Sequence, residues 1–269
     1  EYILPLIILL IFSIIALCPF IWAFVNSFKN TTEIFSAASL FPKVWRWNNY
    51  TEAWRKAQLG SYFFNSVFIT FFVVVFILAI STFAGYAFAK LKLRNHPYLF
   101  YLYFIGMAVP VQATILSIFL QLKDFGIHNT RLGLITVIVA ADIPFATFLM
   151  RNFFRDMSDS FAESAEIDGA SVLNIFLRIY LPLAKPALLA LTVFAFLSGW
   201  NEFNLSLVVL TNDKLWTIPL AVTSLRGHYS ANYGQIFAAT FISCVPSIII
   251  YIIFQRSFIQ GIAVGGEKG

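Results

Sequence analysis

The sequence predicts an all-α membrane protein with six transmembrane helices, on three observations. Charge is scarce: 59% of the 269 residues are hydrophobic and 12% are charged, against about 25% charged in an ordinary soluble domain. Six apolar runs approach or exceed the ~20 residues a helix needs to cross a hydrocarbon core, where every backbone amide must be bonded internally. Between the fourth and fifth runs lies "ESAEIDGASVLNIFLRIYLPLAKP", too acidic at its start for lipid and carrying helix signals on both sides of a glycine.

The runs are placed at 2–28, 62–89, 98–122, 132–150, 186–210 and 235–255, within a single transmembrane domain covering 1–269. The first three and the last contain no Asp, Glu, Lys or Arg; the fourth holds only Asp142 and the fifth only Glu202. No basic stretch precedes the first run, and it is longer than a signal h-region, so it reads as a retained helix. An even number of spans puts both chain ends on one side. The first connection, bearing Trp45, Trp47 and Trp54, suits a segment anchored at the headgroups. The second is a tight basic turn, "KLKLRNH". Lys and Arg divide nine and nine between the two sides, so their total does not orient the chain; the density around Lys90, Lys92 and Arg94 favours that side as cytoplasmic.

Composition also excludes functions. The net charge of +5 is spread through the gaps between runs, with no basic patch interleaved with exposed aromatics, which argues against nucleic acid. Cys18 and Cys244 lie inside apolar runs and read as small hydrophobes. His96, His128 and His228 stand apart from any ligand-spaced partner, so no metal site is expected. No glycine loop of the G-x-x-x-x-G-K-S type is present, so the chain cannot bind ATP that way itself.

The segment from 153 to 185 carries the strongest local pattern. Ser160 and Glu163 stand at capping-box spacing. Glu163, Glu166 and Ile167 then share one face of a short helix, which Gly169 ends by accepting a left-handed conformation. A second helical run places Val172, Ile175, Phe176 and Ile179 on one stripe and stops before Pro182. The product is a helix, glycine, helix knuckle outside the bilayer.

In residue order the knuckle resembles the membrane subunits of ATP-binding-cassette importers, whose signature runs E-A-A, three residues, G, nine residues, I, one residue, L-P. Here the matching positions are Glu163, Ser164, Ala165, Gly169, Ile179, Leu181 and Pro182, with Ser164 where alanine is usual. "IDGAS" and "LPLAKPAL" narrow the likeness to carbohydrate importers, in particular the branch like the smaller maltose permease subunit. "GWNEF", the Asn65–Ser66 pair and "QRSFIQGIAVGGEKG" extend it over most of the chain.

The resemblance implies a permease subunit in a bacterial or archaeal cytoplasmic membrane, with the knuckle and C-terminus inside. Glu163, Ser164, Ala165, Glu166, Asp168 and Gly169 would form a coupling helix seated on a cytoplasmic ATPase. Asp168 is equally suited to bonding its local backbone. A tail flexible by composition, with Gly265 and Gly266, would reach towards the ATPases. The implied partners are a second permease, two ATPase subunits that carry ATP and Mg, a solute-binding protein received by the outer loops, and the bilayer. No cofactor and no catalytic residue are expected on this chain.

Asp142, just before Pro144, either satisfies a kinked helix or serves function. Glu202 and Asn201 either face a polar pathway or bond a neighbouring helix. Trp200 and Phe203 either stack on sugar rings or pack. A stand-alone secondary transporter or channel is the alternative reading, with Asp142 and Glu202 as a proton relay. An intramembrane enzyme would need a base beside the serine of "LSGW", and no span contains a histidine.

Overall fold

The computed structural model describes residues 3–36, 40–56, 58–91, 96–225 and 232–266, and among them every regular element is helical, with no strand. Along the chain run α1 (Ile3–Asn26), α2 (Thr31–Phe35), α3 (Asn48–Lys56), α4 (Leu59–Lys90), α5 (His96–Ile105), α6 (Ile115–Asp124) and α7 (Arg131–Asp156). Then follow α8 (Ser160–Ile167), α9 (Val172–Ile175), α10 (Leu181–Leu183), α11 (Lys185–Asn201), α12 (Asn204–Val209), α13 (Ile218–Ser224) and α14 (Tyr233–Gly266). Lys92 and Arg94 of the expected basic turn lie outside the described residues, as do Arg226 and His228.

By length and apolarity, four helices can each cross a membrane: α1, α4, α7 and Tyr233–Gln255 of α14. Two bent pairs bring the number to six if each is one span. Tyr98–Ala108 meets Val111–Asp124 at 83°, and Val172–Leu183 meets Lys185–Asn201 at 75°. The run 98–122, expected as one span, therefore turns in its middle. Val109 takes an extended conformation before Pro110, which disfavours helix in its predecessor and supplies no N–H of its own. The run 186–210 is also interrupted. Its helix ends at Asn201, and extended backbone at Glu202 separates it from α12.

Contacts divide the chain into two units, Glu1–Asn65 with Trp216–Pro246, and Ser66–Leu215 with Ser247–Gly269. In the first, the buried Phe28 ring is surrounded by Phe24, Trp45, Trp47 and Tyr50, with centroids 4.7–5.3 Å away. The Asn49 amide donates to the carbonyls of Ser27 and Lys29 at 2.7 and 3.0 Å, pinning α3 beneath the end of α1. Asn65, read from sequence only as part of a pair, donates to the Trp216 carbonyl at 3.0 Å. Trp45, Trp47 and Trp54 all remain exposed. α1 is exposed along almost its whole apolar length, only Asn26 being buried.

In the second unit α4, α7 and α11 build the core around Leu134, Ile138, Met150, Leu191 and Trp200. The turn before α7 is fixed by Asn129, held at φ 58°, whose side-chain oxygen accepts from the amides of Thr211 and Asn212 at 3.0 and 2.9 Å. Asparagine is among the few residues that tolerate this conformation. α14 continues to Gly266, so Gly265 and Gly266, expected in a flexible end, close a helix.

Candidate functional site

The knuckle begins where α7 stops, at Met157, whose extended backbone breaks the helix. Asp159 then caps α8 with its main chain, its carbonyl accepting from Ala162 and Glu163 at 2.9 and 3.0 Å. Ser160, expected as the cap, is already the first helical residue. Its hydroxyl pairs with that of Ser158 at 2.7 Å, and no capping box with Glu163 forms. The helix thus starts one residue early. At the other end Gly169 sits at φ +78°, with its amide on the Glu166 carbonyl at 3.0 Å and that of Ala170 on Ala165 at 2.9 Å. Those two bonds make a Schellman closure, in which only glycine is free of steric cost.

Glu163, Ser164, Glu166, Asp168 and Gly169 are exposed and Ala165 is half-buried. The Asp168 carboxylate makes no hydrogen bond among the described residues, so it does not cap its own helix. Ile167 is 87% exposed, a large apolar side chain beside two free carboxylates. A single helical turn therefore presents acid and hydrocarbon together to whatever lies outside.

Beneath this face the chain departs from the expected stripe. Ile175 and Phe176 are buried, but Val172 is exposed and Tyr180 takes the inner place expected for Ile179. The cause is a π-helical turn over Phe176–Tyr180, which rotates the following side chains. Helix then passes through Pro182, expected as its stop, and the turn comes at Ala184. Tyr86 of α4 meets Phe176 and Tyr180 at centroid distances of 4.8 and 5.4 Å, and Phe154 at 5.7 Å. These rings form a packed floor. Among the described residues the buried Tyr180 hydroxyl has no hydrogen-bond partner, so Tyr180→Phe should stabilise the purified protein by about 1 kcal/mol, the lower range of an unmet buried donor. A thermal unfolding curve in detergent that moves down instead would mean the hydroxyl has a partner.

The sequence flagged none of Lys90, Asp159 or Tyr180 for the knuckle, yet they meet at its base. Lys90 ends α4, and its ammonium donates to the Met157 carbonyl and the Asp159 carboxylate, both at 2.6 Å. It lies 5.2 Å from the centre of the Tyr180 ring.

A second polar cluster lies within the helices. Asp142 accepts from the Ser198 hydroxyl, so it bonds α11 rather than the helix around Pro144, which is unbroken. Glu202 caps α12 by accepting from the Leu205 amide at 2.7 Å, a role neither sequence reading assigned it. The two carboxylates share a cavity of about 130 Å³ with Gln112, Ser198 and Asn204. Asn201 is exposed and donates to the Leu197 carbonyl at 3.0 Å. Trp200 is buried, stacked on Phe196 with rings 8° from parallel, and so packs rather than lining this cavity. Among the described residues no group of His, Cys, Asp and Glu is arranged to hold a metal.

Known proteins share this architecture. A profile of the family described as binding-protein-dependent transport system inner membrane component matches residues 81–263. The diacetylchitobiose uptake system permease protein NgcG of Streptomyces coelicolor is 33% identical over 259 residues, covering 96% of this chain and 86% of the relative. The arabinooligosaccharides transport system permease protein AraQ of Bacillus subtilis is 30% identical over 261 residues, covering 96% and 92%. Among solved structures, a chain of a bacterial ABC transporter involved in the import of the acidic polysaccharide alginate superposes with a TM-score of 0.83 at 27% identity, covering 95% of each chain.

Proposed function

The chain belongs to the binding-protein-dependent transport system inner membrane component family, and we propose that it is a membrane-spanning subunit of an ATP-driven carbohydrate importer. Relatives named for diacetylchitobiose and arabinooligosaccharide uptake support sugars as the cargo class. In this reading the four long helices, the bent pair Tyr98–Ala108 with Val111–Asp124, and Lys185–Asn201 make six spans, with Val172–Leu183 bent away into the knuckle, and this subunit supplies half of the translocation pathway beside a second permease. The knuckle and the C-terminal end of α14, with Gly265 and Gly266, face the cytoplasm. Two ATPase subunits there carry ATP and Mg, and a solute-binding protein docks on the opposite loops. The chain itself performs no catalysis.

One observation supports the mechanism best: the Schellman-closed α8, exposing Glu163 and Glu166 of the coupling helix the resemblance would seat on an ATPase, with Ile167 beside them. A short amphipathic helix in a partner's groove can transmit motion here because Lys90 of α4 holds Asp159, the residue that starts it. Closure of the ATPases would then displace α8 and rock the bundle, opening a midplane cavity to alternate faces. The cavity shared by Asp142, Ser198 and Glu202 offers hydroxyl-binding groups at such a depth.

The test is purification of this chain from its native host in mild detergent, with mass spectrometry of what accompanies it. Co-recovery of an ATPase and a second permease is the expected result. Recovery of the folded chain without any ATPase would sink the proposal.

A further inference from the structure

The geometry points to Lys90 as a positioning residue that ties the entry of the knuckle to the end of α4, so that displacement of α8 is carried into that helix. This rests on the ATP-driven reading above.

Three elements converge on one ammonium. Met157 is the first residue past α7, Asp159 caps α8, and Tyr180 belongs to the π turn behind them. Lys90 donates to the first two at 2.6 Å each and stands over the ring of the third. Its side chain is 8% exposed, whereas that of Asp159 is 73% exposed. A cation withdrawn from water needs acceptors, and here the backbone carbonyl of Met157 is one that no substitution removes. The aromatic face supplies further electrostatic attraction.

Position gives the contact its consequence. Between α7 and α8 the chain has only Met157, Ser158 and Asp159 to bend. Extended backbone at Met157 interrupts the helix there, so the two helices are not one continuous rod. Were it free, a push on α8 would be absorbed there. Lys90 bridges the joint at both ends and anchors it to a helix of 32 residues. Asp159, being largely in water, can release and re-form its half of the contact without unfolding anything.

The experiment uses the assembled complex in liposomes, reading sugar uptake and ATP hydrolysis side by side for wild type, Lys90→Met, Lys90→Arg and Asp159→Ala. Lys90→Met keeps an apolar stem of similar length and removes both hydrogen bonds. Uptake per ATP hydrolysed should fall by roughly 5-fold or more, the lower end of common coupling between distant sites. Lys90→Arg, whose fork can reach both acceptors, should restore most of it. Asp159→Ala should show an intermediate loss, and because that side chain is exposed it tests the contact even if Lys90→Met fails to assemble. Uptake and hydrolysis falling together in both variants, or a coupling ratio unchanged in Asp159→Ala, would overturn the assignment of Lys90 while leaving the importer reading intact. A wild-type complex that hydrolyses no ATP would instead count against that reading.

Discussion

Reversing the charge at Glu163, as Glu163→Lys, is expected to strip the ATPase from the purified complex while leaving the membrane helices folded. Folding should survive because the side chain is exposed and makes no hydrogen bond among the described residues, and α8 is held by the Asp159 carbonyl and the closure at Gly169. Binding should not survive. Truncating one side of a buried interfacial charge pair costs about 2–5 kcal/mol, and reversal adds repulsion to that loss. Since about 1.4 kcal/mol is tenfold in affinity, the ATPase should dissociate during detergent purification. Ile167→Ser is the apolar counterpart: a side chain 87% exposed in the isolated subunit would forfeit about 1.5–3 kcal/mol if the partner buries it. If either variant retains a full complement of ATPase on gel filtration, α8 is not the seat of the contact.

How far such a site can be read from sequence depends on whether its determinants are local. Gly169 was legible because one residue must supply a left-handed backbone where a helix turns, and the chain offers glycine there. The start of the same helix was misplaced by one residue, because Ser158 and Ser160 compete for the hydroxyl bond and sequence does not rank them. Lys90 and Asp159 are 69 positions apart, and Ser198 and Asp142 are 56 apart. Nothing in either neighbourhood announces the other. Lys90 carried a signal only as one of several basic residues in a turn. Glu202, an intramembrane carboxylate, was open between a polar pathway and a bond to a neighbouring helix, whereas the structure gives it the task of restarting a broken helix.

The same limit governs the spans. The continuous helices α1, α4 and α7 follow the apolar runs and α14 contains its run but continues to Gly266, whereas the turn at Pro110 hides inside an equally apolar run. Proline alone does not mark it. Pro19, Pro144 and Pro246 all lie within unbroken helices, where neighbouring groups can compensate the lost bond. What distinguishes Pro110 is the extended backbone at Val109 and the 3₁₀ turns on either side, which are properties of three-dimensional packing.

Gly85→Leu should prevent α4 and α7 from packing and leave little folded protein in the membrane. A Cβ added at Gly85 would stand 2.7 Å from the Met150 Cβ, 2.9 Å from the Arg151 nitrogen and 3.0 Å from the Met150 carbonyl carbon. Two of those atoms are backbone, so no rotamer change relieves the clash and α7 itself must retreat. In lipid, helices associate through close packing rather than exclusion from water, and small residues are what permit the approach. Even Gly85→Ala should cost about 1–3 kcal/mol, the usual range for overpacking, with the branched side chain of leucine well beyond it. Retreat of α7 would also draw Arg151 from its place 4.0 Å over the Phe100 ring and open the floor of Tyr86, Phe154 and Tyr180. Gly60→Ala is the matched control in the same helix, because its Cβ would meet only the Trp54 ring at 3.5 Å or more, an ordinary contact. Thermal unfolding in detergent should therefore separate the two alanine variants by several degrees. Equal midpoints would mean that the α4–α7 crossing yields at Gly85, and a base that yields there could not carry a push from α8 through Lys90, five residues further along the helix.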